Sequence, residues 1–447
     1  MKKVLIKNAR IVNEGTITEG DVYIVDGIIA EIADSISAKS PDVVIIDAEG
    51  NYLLPGLIDD QVHFREPGLT HKETIETGSR AAVAGGITSF IEMPNTIPQT
   101  TTIERLQEKF NLAKESSYAN YSFMFGGTND NLEEILKVDP KTTAALKLFL
   151  GSSTGDMLVD DPTILEEIFT KSPLMIAVHC EDEATIQKNL SEYKERYGDD
   201  IPIEMHPKIR SEEACYLSSS RAVALAKKTG ARLHVFHLST AKEISLFENK
   251  KPLKDKKITA EVCVHHLWFN DSNYQKKGTL IKWNPAIKTQ HDQEALLQGL
   301  IDNHIDVVAT DHAPHTKEEK KNVYTKAPSG GPLVQHALPV MLQLHHQEKI
   351  SLEKIVEKMC HNPAILYQIE KRGFIRVGYK ADLVLVDLNA PWAVQPSNTV
   401  YKCGWSPFDG VTFKSRITHT FVNGRLVYKN FQFLPFAKGA EQLTFDR

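Results

Sequence analysis

Eight apolar segments separated by polar or amphipathic stretches dominate the middle of this 447-residue chain. They are LLPGLIDDQVHF (53–64), ITSFIEMPN (87–95), YSFMFGG (121–127), AALKLFLG (144–151), LMIAVHCED (174–182), RLHVFHLS (232–239), ITAEVCVHHLWF (258–269) and IDVVATDHAPH (305–315). Between several of them lie helical patterns such as TTIERLQEKFNLAKES and SEEACYLSSSRAVALAKKTG. Eight strands in strand–helix alternation predict an α/β fold, a (β/α)8 TIM-like barrel. No internal repeat beyond this alternation and no low-complexity segment is present.

Both chain ends read differently. KVLIKNARIV, GDVYIVDGIIAEIA and VVIIDAEG are short strands punctuated by Gly and Asp. ADLVLVDL and ITHTFVNGRLVYKN repeat that style near the other end, with Asn423-Gly424 as a hairpin turn signal. We therefore expect a small β-sandwich domain built from residues 1–54 and 366–447, flanking a barrel of residues 55–365.

Composition narrows the function classes. Hydrophobic residues make up 41% of the chain, enough for a sizeable core, and the net charge is −6 with no basic clusters, which argues against nucleic acid as a partner. No apolar run approaches the length of a membrane span. The start, MKKVLIKNARIV, has an apolar run broken by Lys7, Asn8 and Arg10 and reads as a strand rather than a signal peptide. Five scattered cysteines without a CxxC pair point to reduced thiols and a cytoplasmic location.

Residues capable of chemistry fall late in the strands or just after them: His63, Asn95, Lys147, His179, His237 and Asp311. In such a barrel the active site lies at the C-terminal face of the sheet, so these six should converge on one mouth. A lone histidine in an apolar strand is usually a core residue. Three of them with an aspartate at corresponding strand ends indicate a metal site instead. His265-His266 reads as a packing or substrate-loop pair, and His71 and His206 as solvated loop residues. Lys147 interrupts an apolar strand. It either snorkels to the rim or gives up its charge, and a neutral amine there can react with carbon dioxide to form a metal-bridging carbamate.

The motifs LPGLID-QVHFREPG, EMPNT, LKLFLGSSTG, VHCED, HVFHLST, WNPAIK, ATDHAPH and GFIRVGYKADLVLVD together resemble the dihydroorotases of the amidohydrolase superfamily, over nearly the whole chain. The resemblance implies a zinc-dependent hydrolase that interconverts dihydroorotate and N-carbamoyl-aspartate in pyrimidine biosynthesis. It implies that His63 and Asp311 hold the more buried metal and that Lys147, carboxylated, bridges to a second metal held by His179 and His237. Asp311 would also move a proton. Arg65, Asn95 and His315 would clasp the substrate carboxylate, and Asn284 and the loop Ala327–Gly331, with Gly330, would contact the ring. Arg65 fits a carboxylate bidentately, whereas the related dihydropyrimidinases and allantoinases act on rings without one.

This chain departs from the family pattern at three positions. Ala286 and Lys288 stand where Pro and Arg are usual. Gln61 stands where the first of two histidines is usual, and a neutral amide oxygen is a poor zinc ligand beside imidazole. One tightly held zinc is expected at Lys147, His179 and His237, with the second position weakened. A small-molecule substrate and a possible homodimer are expected. The competing readings are a catalytically inactive scaffold for aspartate transcarbamoylase and a related cyclic amidase.

Overall fold

A computed structural model describes residues 3–38, 40–151, 157–434 and 439–447. The tail of the LKLFLGSSTG motif, from Ser152 to Gly155, lies outside the described residues.

All eight strands form, and they pair in parallel around a barrel. Leu57–Val62, Ile87–Glu92 and Asn120–Phe123 make one run of paired strands. The third strand is interrupted at Met124, whose N–H donates to Glu92 O, and resumes at Phe125–Gly126 to pair with Leu146–Phe149. Pairing continues through Ile176–His179, Leu233–Val235, Ile258–Cys263 and Val307–Ala309. A parallel bridge between Val62 and His312 closes the ring. Leu146, Leu148, Ile176, Val178, Leu233, Val235, Ala260 and Val262 are buried on one face and the intervening Lys147, Ala177, His234 and Glu261 on the other, so these strands are covered on both faces, as parallel strands usually are.

The two amphipathic stretches become the helices Ile103–Ser116 and Glu212–Thr229. Thr102 and Ser211 cap their N-termini by accepting backbone N–H groups, and Gly230 ends the second helix in the left-handed region at φ 77°.

The terminal strands of both chain ends form one nine-stranded sheet among the described residues. Lys3–Asn13 pairs with Thr16–Val25 and, in parallel, with Val44–Asp47. Leu383–Asp387 joins the two chain ends by pairing with Tyr52–Pro55 on one side and Arg416–Val422 on the other. The sheet encloses its own apolar cluster, including Ile6, Val22, Ile24, Ile29, Leu53, Leu383, Leu385 and Phe421, which gives it a sandwich character. At the foreseen hairpin Asn423 and Gly424 both take positive φ, 49° and 70°; this backbone matches the twist of the flanking strands.

The first apolar segment is split between the two sheets. Tyr52–Pro55 belongs to the sandwich and Leu57–Val62 to the barrel. Gly56 between them has no space for a side chain, since a Cβ would lie 2.1 Å from Thr88 Oγ1. A short pairing not anticipated from the sequence, Trp392–Ala393 with Thr412–Phe413, lays aromatic rings against His336 at the start of the helix Ala337–His346.

Candidate active site

The C-terminal ends of the barrel strands open into one polar cavity. His63, Arg65, Asn95, Lys147, His179, His237, Asn284, Asp311 and Gly330 line it, together with Gln61, Phe149, Trp283, Ala313 and Ser329. Nine of the ten residues singled out from the sequence thus meet at one place. The tenth, His315, stands behind Arg65. Its Nε2 lies 3.1 Å from Arg65 Nη2 and 3.0 Å from Ser329 O, and its Nδ1 lies 2.9 Å from Lys72 Nζ.

Three of these residues hold unusual backbone. Arg65, His237 and Asp311 have φ of 66°, 37° and 50°, in the left-handed region that costs a non-glycine residue energy. Such strain persists only where the surrounding structure enforces it, and it collects at functional sites. The backbone turns sharply as each strand ends, aiming the side chain into the mouth.

The donors fall into two pairs. His63 Nε2 lies 3.2 Å from Asp311 Oδ1, and His63 Nδ1 lies 2.8 Å from Asn95 Oδ1. With Nδ1–H donated to Asn95, the Nε2 lone pair faces the Asp311 carboxylate. His179 Nδ1 lies 3.0 Å from His237 Nε2, while His179 Nε2 lies 3.0 Å from Glu181 Oε2. Two ligands of one tetrahedral zinc sit about 3.3 Å apart, given bonds of about 2.0 Å. Both pairs have about that spacing, and each has an outer partner that fixes its ring, as metal-bound histidines do. Burial acts to raise the Glu181 pKa, but Arg210 and His179 hold it down to about 2, so Glu181 stays anionic beneath His179.

Lys147 lines the same cavity. It is fully buried, and its Nζ has no hydrogen-bond partner among the described residues. Burial pushes its pKa down to about 7, against the pull of Glu261 and Asp311. The snorkelling alternative is thereby excluded, and a neutral amine is available. Asp311 is pushed up to about 7, also by burial, with Lys147 opposing. His63 and His237 fall well below the usual imidazole range because burial disfavours their charge. Neutral imidazoles are the form that binds metal.

Arg65 is 2% exposed, and burial lowers its pKa to about 10. Its Nε donates to Pro314 O at 3.1 Å. No carboxylate among the described residues lies within ion-pairing distance of it. Gln61 is also buried, and its Oε1 accepts from Cys263 Sγ at 3.6 Å.

Several supporting residues gave no sequence signal that was read. Lys320 is fully buried and donates to Pro328 O at 2.9 Å, Gly330 O at 2.7 Å and Lys282 O at 3.2 Å, stapling the loop that carries Gly330. Lys282 Nζ donates to Tyr324 O and Ala327 O at 2.7 and 2.6 Å. His206, expected to be solvated, is instead fully buried, with ring nitrogens 2.6 Å from Trp283 O and 2.9 Å from Tyr324 Oη. Its neighbours in sequence are polar, which hid a long-range contact. His265 stacks on Trp283 with centroids 4.5 Å apart, so the His265-His266 pair backs the cavity wall. Glu181 could have been found: two residues beyond His179 in an extended segment, it shares that histidine's face.

Comparisons with known proteins agree with this architecture. The amidohydrolase family model matches residues 52–427. A dihydroorotase of Methanosarcina acetivorans is 34% identical over 426 residues, covering 92% of this chain and 89% of the relative. A dihydroorotase of Carboxydothermus hydrogenoformans is 36% identical over 437 residues, covering 95% of this chain and 98% of the relative. Among solved structures, the L-hydantoinase (dihydropyrimidinase) from Arthrobacter aurescens superposes with a TM-score of 0.94 at 29% identity, covering 99% of this chain and all of that one. No helix among the described residues is long and apolar enough to cross a membrane. With a closed parallel barrel, a histidine- and carboxylate-lined mouth and these relatives, the chain belongs to the amidohydrolase family and is a hydrolase acting on cyclic amides.

Proposed function

We propose that the enzyme interconverts dihydroorotate and N-carbamoyl-aspartate. The observation that carries this reading is Arg65: a buried guanidinium in the wall of the mouth with no carboxylate partner of its own. Only the longer-range fields of Asp311, Glu92 and Glu319 offset the burial of this cation, and a planar carboxylate on the substrate pairs with it directly through two parallel hydrogen bonds. Hydantoin carries no such group. Pro314 O orients the guanidinium by accepting from Arg65 Nε, with His315 packed behind it; Asn95 joins Arg65 at the carboxylate, and Asn284 and the Gly330 loop contact the ring.

Lys147, His179 and His237 would hold zinc, with His63 and Asp311 as donors at the adjoining position. Lys147 serves as a ligand after its neutral amine adds to carbon dioxide; an N–C bond forms and the amine proton leaves, giving an anionic carbamate. When bound there, zinc supplies hydroxide at neutral pH and Lewis-acid polarisation of a carbonyl. Asp311, with a pKa near 7, takes up the proton released as the ring carbonyl is attacked and delivers it to the departing nitrogen. Gln61 offers only an amide oxygen, a poorer zinc ligand than imidazole, so the position beside His63 and Asp311 would bind zinc weakly or only in part.

The decisive experiment is turnover of dihydroorotate, hydantoin and allantoin by the purified enzyme, with and without a chelator. Dihydroorotate turnover that the chelator abolishes is expected. Efficient hydantoin turnover with none on dihydroorotate would move the assignment to the dihydropyrimidinase branch. Absence of all activity after zinc supplementation would favour a scaffold role beside a transcarbamoylase.

A further inference from the structure

A second group of ligand-type side chains lies inside the barrel, apart from the mouth. Asp60 on the first strand, His234 on the sixth and Glu261 on the seventh are all fully buried, and one ligand atom from each lies within 4.8 Å of the others. His234 Nε2 is 3.4 Å from Asp60 Oδ2 and 3.8 Å from Glu261 Oε2. The ring of Phe236 lies 5.3 Å from the His234 ring and 4.0 Å from Lys147 Nζ, while Glu261 approaches the mouth through Cys263 Sγ, 3.4 Å from Glu261 Oε1 and 3.6 Å from Gln61 Oε1.

The hydrogen bonds around the group fix which atoms face inward. Thr259 Oγ1 donates to Leu233 O at 3.2 Å, so it must accept from His234 Nδ1–H, 2.8 Å away. The other nitrogen, Nε2, faces two carboxylates; burial opposes charge on the ring, but Asp60 and Glu261 outweigh it and raise its pKa to about 9, so without a metal Nε2 carries a proton, and with one it offers a lone pair. Tyr367 Oη donates to Asp60 Oδ2 at 2.9 Å, and Glu261 Oε1 accepts His237 N–H at 3.1 Å. Asp60 Oδ1, Glu261 Oε2 and His234 Nε2 have no hydrogen-bond partner among the described residues. A lone pair facing two buried carboxylates is repulsive unless a cation stands between them.

A proton on Nε2 is one such cation, but it fits poorly. A charge-assisted N–H···O bond spans about 2.7–2.9 Å, and both separations here are longer. A metal fits better: two ligands with bonds of about 2.0–2.2 Å at a tetrahedral angle lie about 3.3–3.6 Å apart. The 3.4 Å pair is within that range and the 3.8 Å pair needs only a wider angle. One imidazole and two carboxylates form a donor set suited to zinc. Thr259 and Tyr367 are outer partners of the kind that orient metal ligands.

We propose that Asp60, His234 and Glu261 form a second, structural divalent-metal site in the barrel interior, which takes zinc during folding and holds it independently of the mouth. The test uses the full chain with the mouth disabled by Lys147→Ala, His179→Ala and His237→Ala. Purified from zinc-supplemented cells and passed through a chelator while folded, this variant should retain about one zinc per chain, and adding His234→Gln should remove it. Should either variant fail to fold, zinc-edge anomalous diffraction from crystals of the unmodified enzyme grown with zinc decides the matter. A peak between Asp60, His234 and Glu261 is expected. A metal-free mouth variant, or anomalous peaks at the mouth alone, would overturn the proposal without bearing on the assigned activity.

Discussion

Lys147 Nζ stands 4.0 Å above the ring of Phe236 and 4.9 Å from that of Phe149. Two aromatic walls surround the amine where a hydrogen-bond acceptor would ordinarily be required. Replacing Lys147 by Ala should empty the mouth of zinc and abolish turnover. Short carboxylic acids should partly restore both, because a free carboxylate can occupy the space of the missing carbamate. Mass spectrometry of the native enzyme should show an added carbon dioxide. A fully active enzyme with an unmodified lysine would refute the carbamate.

Arg65→Ala should weaken transition-state binding by about 2–5 kcal/mol, the usual scale for truncating one partner of a buried charged pair. Zinc content should not change, since Arg65 donates to Pro314 O and makes no hydrogen bond or ion pair with the metal donors among the described residues. The kcat/KM for dihydroorotate together with metal analysis checks both halves. Near-normal kcat/KM would place the substrate carboxylate elsewhere.

Gln61→His should add a proper zinc ligand beside His63 and Asp311. The metal content of the mouth should rise towards two per chain, measured by elemental analysis against the unmodified enzyme. Two fully occupied mouth zincs in the unmodified enzyme, one bound by Gln61, would overturn the single-zinc expectation and leave the activity assignment standing.

His336 provides a pH prediction. Burial pushes its pKa down to about 3, and its Nδ1 lies 2.8 Å from Tyr401 Oη, among the rings of Trp392, Phe408 and Phe413. Its folded pKa lies below its unfolded value of about 6.5, so the unfolded chain binds the extra proton and stability falls as the pH drops below about 6.5. At pH 5 the loss from this one group is about 2 kcal/mol, at roughly 1.4 kcal/mol per pH unit. Denaturant titrations at pH 7 and pH 5 should show a smaller acid loss for His336→Asn than for the unmodified chain. An identical loss in both would show that His336 is protonated without penalty in the folded state.

The barrel was legible because its eight strands are locally apolar and periodically spaced, and His63, Asn95, His179, His237 and Asp311 because each ends or follows a strand, whereas Asn284 and Gly330 lie in loops and were legible only through the family motifs. Thr102, Ser211 and Gly230 mark helix ends by the same local chemistry. What escaped the sequence is long-range. His206 meets Tyr324 and Trp283 across 118 and 77 residues, and no local pattern announces such a contact. Lys320 looks like one more charge in KEEKKN, yet it is fully buried and hydrogen-bonds three backbone carbonyls. His315, expected at the substrate carboxylate, stands behind Arg65 outside the cavity lining, and only the folded chain shows Lys72 Nζ and Ser329 O at its ring nitrogens.

The passage of one strand from the sandwich into the barrel has a thermodynamic consequence. Residues 52–55 are paired with both chain ends, residues 57–62 carry the chain on to His63, and the glycine between them is packed against Thr88. Melting the sandwich would therefore unmoor the first barrel strand, and opening the barrel would release the middle of the terminal sheet. The two layers should lose structure in a single calorimetric transition, with enzymatic inactivation following the same curve.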